Sequence, residues 1–301
     1  MNPASRGGAN GRRFPALEPR IRARLGTVET AWTERRGHAA ALAKKAAPRV
    51  DRILSAGGDG TAHEVAEGLL ESGEAGRVEL GLLPLGTGGD LMRTLDLPKD
   101  LDGALERIRG GTVRRIDAAR IRYRGLDGSD RSGWLVNEIS AGFAGLVAGM
   151  VERGGKWLGG TASFAQATVR AILAHPVLAG RVRVDGAVVH EGRFVLASAC
   201  NGRFFGGGMA IAPDAAADDG LLDCVVIPGM SRTELLPKLG KLYKGTHLQV
   251  PGVVFRRGRV VEIEPIGGPA PFEVDGEPLG RLPIRAEAVR GALSILGADP
   301  R

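Results

Sequence analysis

Over residues 17–115, short apolar runs alternate with stretches whose apolar positions recur at helical spacing. Residues 50–55, with Ile53-Leu54 at their centre, and the apolar run 80–83 predict two buried strands, while residues 61–71 place Val65, Leu69 and Leu70 on one face of a helix. A short helix over 90–95 follows the second strand. Strand, loop and helix repeating in that order predict a parallel sheet with helices on its faces. Beyond about residue 116 the pattern shifts to short β-rich segments at 182–189, 193–199, 221–227 and 260–263, interrupted by one helical stretch at 161–173. Asp185-Gly186 in the first of these suits a type I′ hairpin turn. The second region therefore reads as a mainly antiparallel β domain. The expected division is an α/β domain over 1–115, a β domain over 116–287, and a final segment, 288–301, that returns to the first domain.

Both predicted strands of the first region run into glycine. The strings are Gly57-Gly58-Asp59-Gly60-Thr61 and Gly86-Thr87-Gly88-Gly89-Asp90, each followed at once by a helix start. Bare backbone N–H groups at a helix N-terminus make an anion cradle, because the helix dipole adds to the hydrogen bonds. Neither string is a Walker A loop, since no Gly-Lys-Ser/Thr follows, and neither has GxGxxG spacing. Ligands on parallel sheets lie at the carboxyl ends of the strands, where both strings fall.

Composition narrows the class. The 301-residue chain is 43% hydrophobic and 25% charged, ordinary for a soluble globular protein and long enough for two cores. Its 47 glycines are about twice the usual share, so sharp turns or close ligand approach are expected. Residues 1–50 hold eleven Lys/Arg against three Glu, a net +8 that suits an anionic partner or a solvated helix face. Cys200 and Cys224 are the only cysteines, which argues against a disulfide framework or zinc site. No run of 18 apolar residues or signal-peptide core occurs, so a cytoplasmic protein, at most peripheral on the inner membrane face, is expected. Two Tyr and three Trp, with no basic-aromatic interleaving, argue against nucleic acid as partner.

Taken in order, these strings resemble the diacylglycerol kinase catalytic family, which includes bacterial diacylglycerol kinases, sphingosine kinases and ceramide kinases. The resemblance is carried by Gly57-Gly58-Asp59-Gly60-Thr61 with His63 to Leu69, then Pro84 to Asp90. Asn2-Pro3-Ala4-Ser5 is similar to the family's N-terminal nucleotide loop, and Thr33 with Gly37-His38-Ala39 to its next segment. Asn201-Gly202, Gly206 to Met209, Pro213 and Asp218 to Asp223 resemble the second-domain signature, and Val274-Asp275-Gly276-Glu277-Pro278 the catalytic turn.

The resemblance implies a phosphofructokinase- or NAD-kinase-like α/β nucleotide domain and an antiparallel β-sandwich, with the active site in the cleft between them. It implies ATP-dependent phosphorylation of a lipid hydroxyl, of diacylglycerol, a sphingoid base or ceramide. On it, Asp275 or Glu277 is the general base. Asn2, Pro3, Ser5, Thr33, Gly57, Gly58, Gly60 and Gly86 surround the nucleotide, Thr61 and Thr87 contact phosphate, and Asp59 and Asp90 orient the nucleotide or its metal. A structural Mg2+ would use Asp219 with the carbonyls of Ala216 and Leu221, an oxygen set that suits a hard cation. The partner implied is lipid at a membrane surface, and a homodimer is compatible.

On residues alone, Asp275-Gly276 is the commonest hairpin signal, as Asp185-Gly186 is, and Asp218-Asp219-Gly220 is a polar turn. His63 has no ligand-spaced partner and is expected on the helix surface, and Phe204-Phe205 in the core. Gly89 and His63 stand where the family usually has Asn, which removes two amides beside the nucleotide. No apolar run precedes Asn2-Pro3, so a first strand encoded upstream of residue 1 is expected. The competing readings are a kinase for a soluble acceptor, as in NAD kinases, and a non-catalytic nucleotide- or lipid-binding regulator.

Overall fold

The computed structural model describes residues 1–5, 7–142 and 177–300, and the helix expected over 161–173 lies outside them. The chain forms two compact units, Met1–Asp117 with Gly291–Arg301, and Ala118–Arg290.

In the first unit, α1 (Ala9–Leu25) and α2 (His38–Ala46) precede β1 (Arg52–Gly57), α3 (Asp59–Ser72), β2 (Glu79–Pro84), α4 (Asp90–Thr94) and α5 (Leu101–Gly110). Strands β1 and β2 are parallel, in register from Arg52 opposite Glu79 to Gly57 opposite Pro84. On the other edge of β2, Ser294, Ile295 and Leu296 pair parallel with Glu79, Leu80 and Gly81. Phe14 and Ile21 of α1 and Leu105 and Ile108 of α5 bury against Ala56, Leu83 and Leu296. Helices α2 and α3 meet at backbone distance, since a Cβ at Gly68 would lie 2.2 Å from the Ala40 carbonyl oxygen. Part of the basic charge of α1 is matched: Arg20 pairs with Asp102, Arg24 with Glu106 and Arg22 with Glu18.

The second unit is antiparallel. The long strand β3 (Val113–Arg124) leads into it and pairs with β4 (Asp130–Leu135). There follow β5 (Glu138–Gly142), β6 (Leu178–Val184), β7 (Ala187–Cys200), β8 (Leu222–Pro228), β9 (Val254–Gly258), β10 (Val260–Pro265), β11 (Pro271–Val274) and β12 (Glu277–Leu296). The hydrogen-bonded order is β10–β6–β7–β5–β11, and β12 pairs with both β10 and β11, so the path returns on itself. Its apolar face carries the main core, including Ile139, Phe194, Phe272, Val274 and Ile284. The other face of β7 and β8 is covered by Phe205, Met209, Leu235 and Leu242. Phe205 is buried as expected, and Phe204 is half-buried beside Arg203.

Candidate active site

In the first unit the two glycine strings lie against each other at the carboxyl ends of β1 and β2. A Cβ on Gly86 would lie 2.2 Å from Gly58 Cα, so the loops touch through bare backbone. The helix expected from residue 61 starts at Asp59, with Gly58 at its N-cap, because Gly60 is taken into the first turn. That start turns the Asp59 carboxylate across to the second string, where Oδ2 accepts the Gly89 N–H at 2.6 Å. Gly88 must be glycine for this contact, since a Cβ there would lie 2.1 Å from the same oxygen. A cavity of about 180 Å³ opens here, lined by Gly57, Gly58, Asp59, Gly86, Thr87 and Lys99 among others. Bare amides, a helix start and a lysine are the groups that receive phosphate.

The N-terminal loop closes onto this cradle. Asn2 donates its backbone N–H to the Ala56 carbonyl at 3.1 Å and its amide to Thr61 Oγ1 at 3.1 Å. Pro3 accepts the Gly11 N–H, and Ser5 Oγ, buried, donates to the Asn2 carbonyl at 2.7 Å. Thr33, also buried, donates its N–H to the Met1 carbonyl. Asp90 is buried at the start of α4 and pairs with Arg93 at 2.6 Å. Thr61 is buried and Thr87 exposed. His63, expected on the surface, is only 9% exposed, because its face of α3 turns inward with Ala62 and Ala66.

In the second unit, Asp275 and Gly276 link β11 to β12 in a left-handed turn, with φ of 51° and 83°. Asp185 and Gly186 adopt the same turn, with φ of 49° and 82°. The surroundings of the two carboxylates differ. Asp185 is exposed and accepts N–H bonds from Arg259 and Val260. Asp275 is buried and accepts three, from Val136 at 3.2 Å, Asn137 at 2.9 Å and Glu138 at 2.7 Å. Glu277 follows, half-buried, at the first position of β12.

Behind this turn lies a set of polar side chains that sequence reasoning passed over. Glu138, Ser140, Ser198 and Glu273 share one face of β5, β7 and β11 and are at most 2% exposed. Glu273 lies opposite Ser140, two residues from Glu138 on that face, so the two carboxyl groups are neighbours. Burial raises Glu138 well above the usual carboxyl range, and raises Glu273 to about 7. Asn137 was also missed, and its amide donates to the Phe204 carbonyl at 2.8 Å, tying that loop to the strand. In the first unit Asn10 went unnoticed; it is buried and bonds to Ser5 Oγ and the Leu85 carbonyl, joining the N-terminal loop to the second glycine string. None of these lies in an element that the sequence pattern marks, apart from Ser198 in the segment 193–199.

The loop before β8 carries the proposed cation ligands. Asp219 Oδ1 accepts the Leu221 N–H at 2.9 Å, and Ala216 lies half-buried three residues earlier. Asp223, buried, is paired with Arg257 at 2.6 Å; burial raises its carboxyl while Arg257 pulls it back. Among the described residues, no three His, Cys, Asp or Glu side chains group as a metal site. None of the described helices is long and apolar enough to cross a membrane.

Comparison with known proteins places both units. The diacylglycerol kinase catalytic domain matches residues 1–121, and the YegS C-terminal NAD kinase beta sandwich-like domain matches residues 137–297. A "Probable lipid kinase YegS-like" protein of Xanthomonas campestris pv. campestris is 34% identical over 259 residues, covering 84% of this chain and 81% of that protein. A "Diacylglycerol kinase" of Mycobacterium tuberculosis is 30% identical over 256 residues, covering 85% and 79%. In fold, the chain is similar to a crystal structure of a diacylglycerol kinase from Bacillus anthracis, with a TM-score of 0.76 at 24% identity over 98% of this chain and 94% of that one. The relatives that match across both units are named lipid kinase or diacylglycerol kinase. This chain belongs to that group, within the diacylglycerol kinase catalytic-domain family.

Proposed function

We propose that the protein transfers the γ-phosphoryl group of ATP to a hydroxyl of diacylglycerol or a related lipid presented at a membrane surface. The observation that carries this reading is Asp275, a buried carboxylate fixed by three backbone N–H groups on a turn whose twin, Asp185, is exposed. A general base in phosphoryl transfer must be held still while the acceptor O–H gives up its proton, and backbone donors hold a carboxylate more rigidly than side chains do. In this reading the acceptor oxygen bonds to the γ-phosphorus, the bond to the bridging oxygen breaks, ADP leaves, and the proton passes to Asp275. Glu277, two residues on at the start of β12, is the other candidate for the base.

The cradle of Gly57, Gly58, Gly60 and Gly86, with Thr61, Thr87 and the Asp59 bridge, is the proposed phosphate-binding element, and the loop of Asn2, Pro3 and Ser5 with Thr33 closes it. Asp90 acts there by holding Arg93 at the cavity. When bound, magnesium offsets charge on the phosphates. A structural magnesium is proposed at Asp219 with the carbonyls of Ala216 and Leu221. The fit rests on chemistry: all the donors are oxygens, and Asp219 spends one of its two on Leu221.

The deciding experiment is transfer of labelled γ-phosphate to a panel of lipids in mixed micelles, with Asp275→Asn beside the wild type. Incorporation into one lipid class, reduced about a hundredfold or more in the variant, is expected. Phosphorylation of NAD with none of any lipid would replace this reading with a soluble-acceptor kinase.

A further inference from the structure

Glu138 and Glu273 sit directly behind the Asp275 turn, and each is bonded to it. Glu273 accepts the Gly276 N–H at 2.6 Å, and the Glu138 N–H is one of the three donors to Asp275. Glu273 lies opposite Ser140 and so beside Glu138 on the same face, and Ser140 Oγ donates to Glu138 Oε2 while standing 2.7 Å from Ser198 Oγ. Two buried acids side by side stay together without a cation only if one carries a proton, because two bare carboxylates at that range repel. The titratable groups that act on the pair add negative charge or none. Asp275 lies on the turn, and Cys200 is opposite Glu138 on β7 with Asp223 beyond it on β8. Neither acid has an ion-pair partner among the described residues, so a proton, not a cation, neutralises them.

We propose that Glu138 and Glu273 are positioning residues for the phosphoryl transfer, an acid pair whose single shared proton holds the Asp275-Gly276-Glu277 turn against β5. This rests on the reading of Asp275 as the base. With the proton in place, one acid donates, its partner accepts, and the pair keeps its grip on Gly276. Once that proton is lost, two adjacent negative charges beside Asp275 push β11 away from β5 and release the turn.

The test uses the full chain with Glu138→Gln, Glu273→Gln and Glu273→Leu. It follows kcat for lipid phosphorylation across the alkaline range and, independently, hydrogen exchange at the amides of Asn137, Glu138 and Gly276. In the wild type, exchange at these amides is expected to accelerate about tenfold beyond the intrinsic base-catalysed rise, and kcat to fall with it while KM for ATP stays constant. Glutamine is neutral at every pH and can both donate and accept, so the Gln variants should keep kcat within about threefold near neutrality and lose the alkaline fall. Glu273→Leu removes the acceptor for Gly276 and should lower kcat about tenfold or more at every pH. Wild type and Gln variants sharing one kcat profile and one exchange pattern would overturn the proposal. If Glu273→Leu does not fold, the Gln variants still decide the matter. A wild type that shows the exchange pattern but phosphorylates no lipid would sink the lipid-kinase reading alone, leaving the hold on the turn intact.

Discussion

Asp59 Oδ2 accepts the Gly89 N–H at 2.6 Å, so one carboxylate joins two glycine loops thirty residues apart. Replacing it with Asn leaves an acceptor but removes the charge that strengthens the bond. Asp59→Asn is expected to raise KM for ATP about tenfold and to lower stability by about 1 kcal/mol, read by ATP titration and chemical denaturation. An unchanged KM would remove Asp59 from the cradle.

Gly86 and Gly89 should respond to different degrees. Gly86→Ala puts a methyl 2.2 Å from Gly58 Cα, backbone against backbone, and should cost about 2 kcal/mol and most nucleotide affinity. Gly89 has φ of 103° with nothing within 4 Å of an added Cβ, so Gly89→Asn, the usual family residue there, should cost no more than about 1 kcal/mol. Thermal melts with and without ATP separate the two.

Stability should fall as pH rises through neutrality. Glu273 is raised from 4.5 to about 7 and Glu138 further, so the folded chain binds more protons than the unfolded one across that interval. For raised carboxyls the stabilisation is complete below their unfolded values and is lost as pH climbs through the folded ones. The expected loss is on the order of 3 kcal/mol between pH 4.5 and 7, and Glu273→Gln should flatten it. Denaturant midpoints measured across this interval check it, and a wild-type stability that climbs with pH would contradict it.

Arg257 sits 2.6 Å from the buried Asp223. Arg257→Met strands that carboxylate and is expected to cost about 2 kcal/mol, less than for a fully buried pair because Arg257 itself is partly exposed. The double variant with Asp223→Asn should recover much of the loss. Additive effects would show that the two side chains do not act as a pair.

Much of the fold was legible because its signals are local. Strands β1 and β2 carry short apolar stretches, Ile53-Leu54 and 80–83, and the glycine strings sit where parallel strands must end. The Asp185-Gly186 hairpin was also readable, since its turn needs only its own two residues. Asp275 shows where that reasoning stops. Its backbone matches that of Asp185, and what sets it apart is burial with three amides from residues 136–138, far away in sequence. His63 was expected on the surface because no ligand-spaced partner accompanies it, a ground that says nothing of how many faces of its helix are covered. Glu138 and Glu273 fall outside every segment the sequence pattern marks, since pairing across strands brings them together and no spacing along the chain records it.

Strand β12 begins at Glu277, beside the Asp275 turn, and ends with Ser294–Leu296 completing the parallel sheet of the first unit. A ribosome therefore releases β1, β2 and the glycine strings more than two hundred residues before the strand that finishes their sheet. During synthesis β2 waits with an open edge, the kind of surface that invites pairing with a neighbouring chain. The nucleotide cradle, although made first, is among the last parts of the protein to become whole.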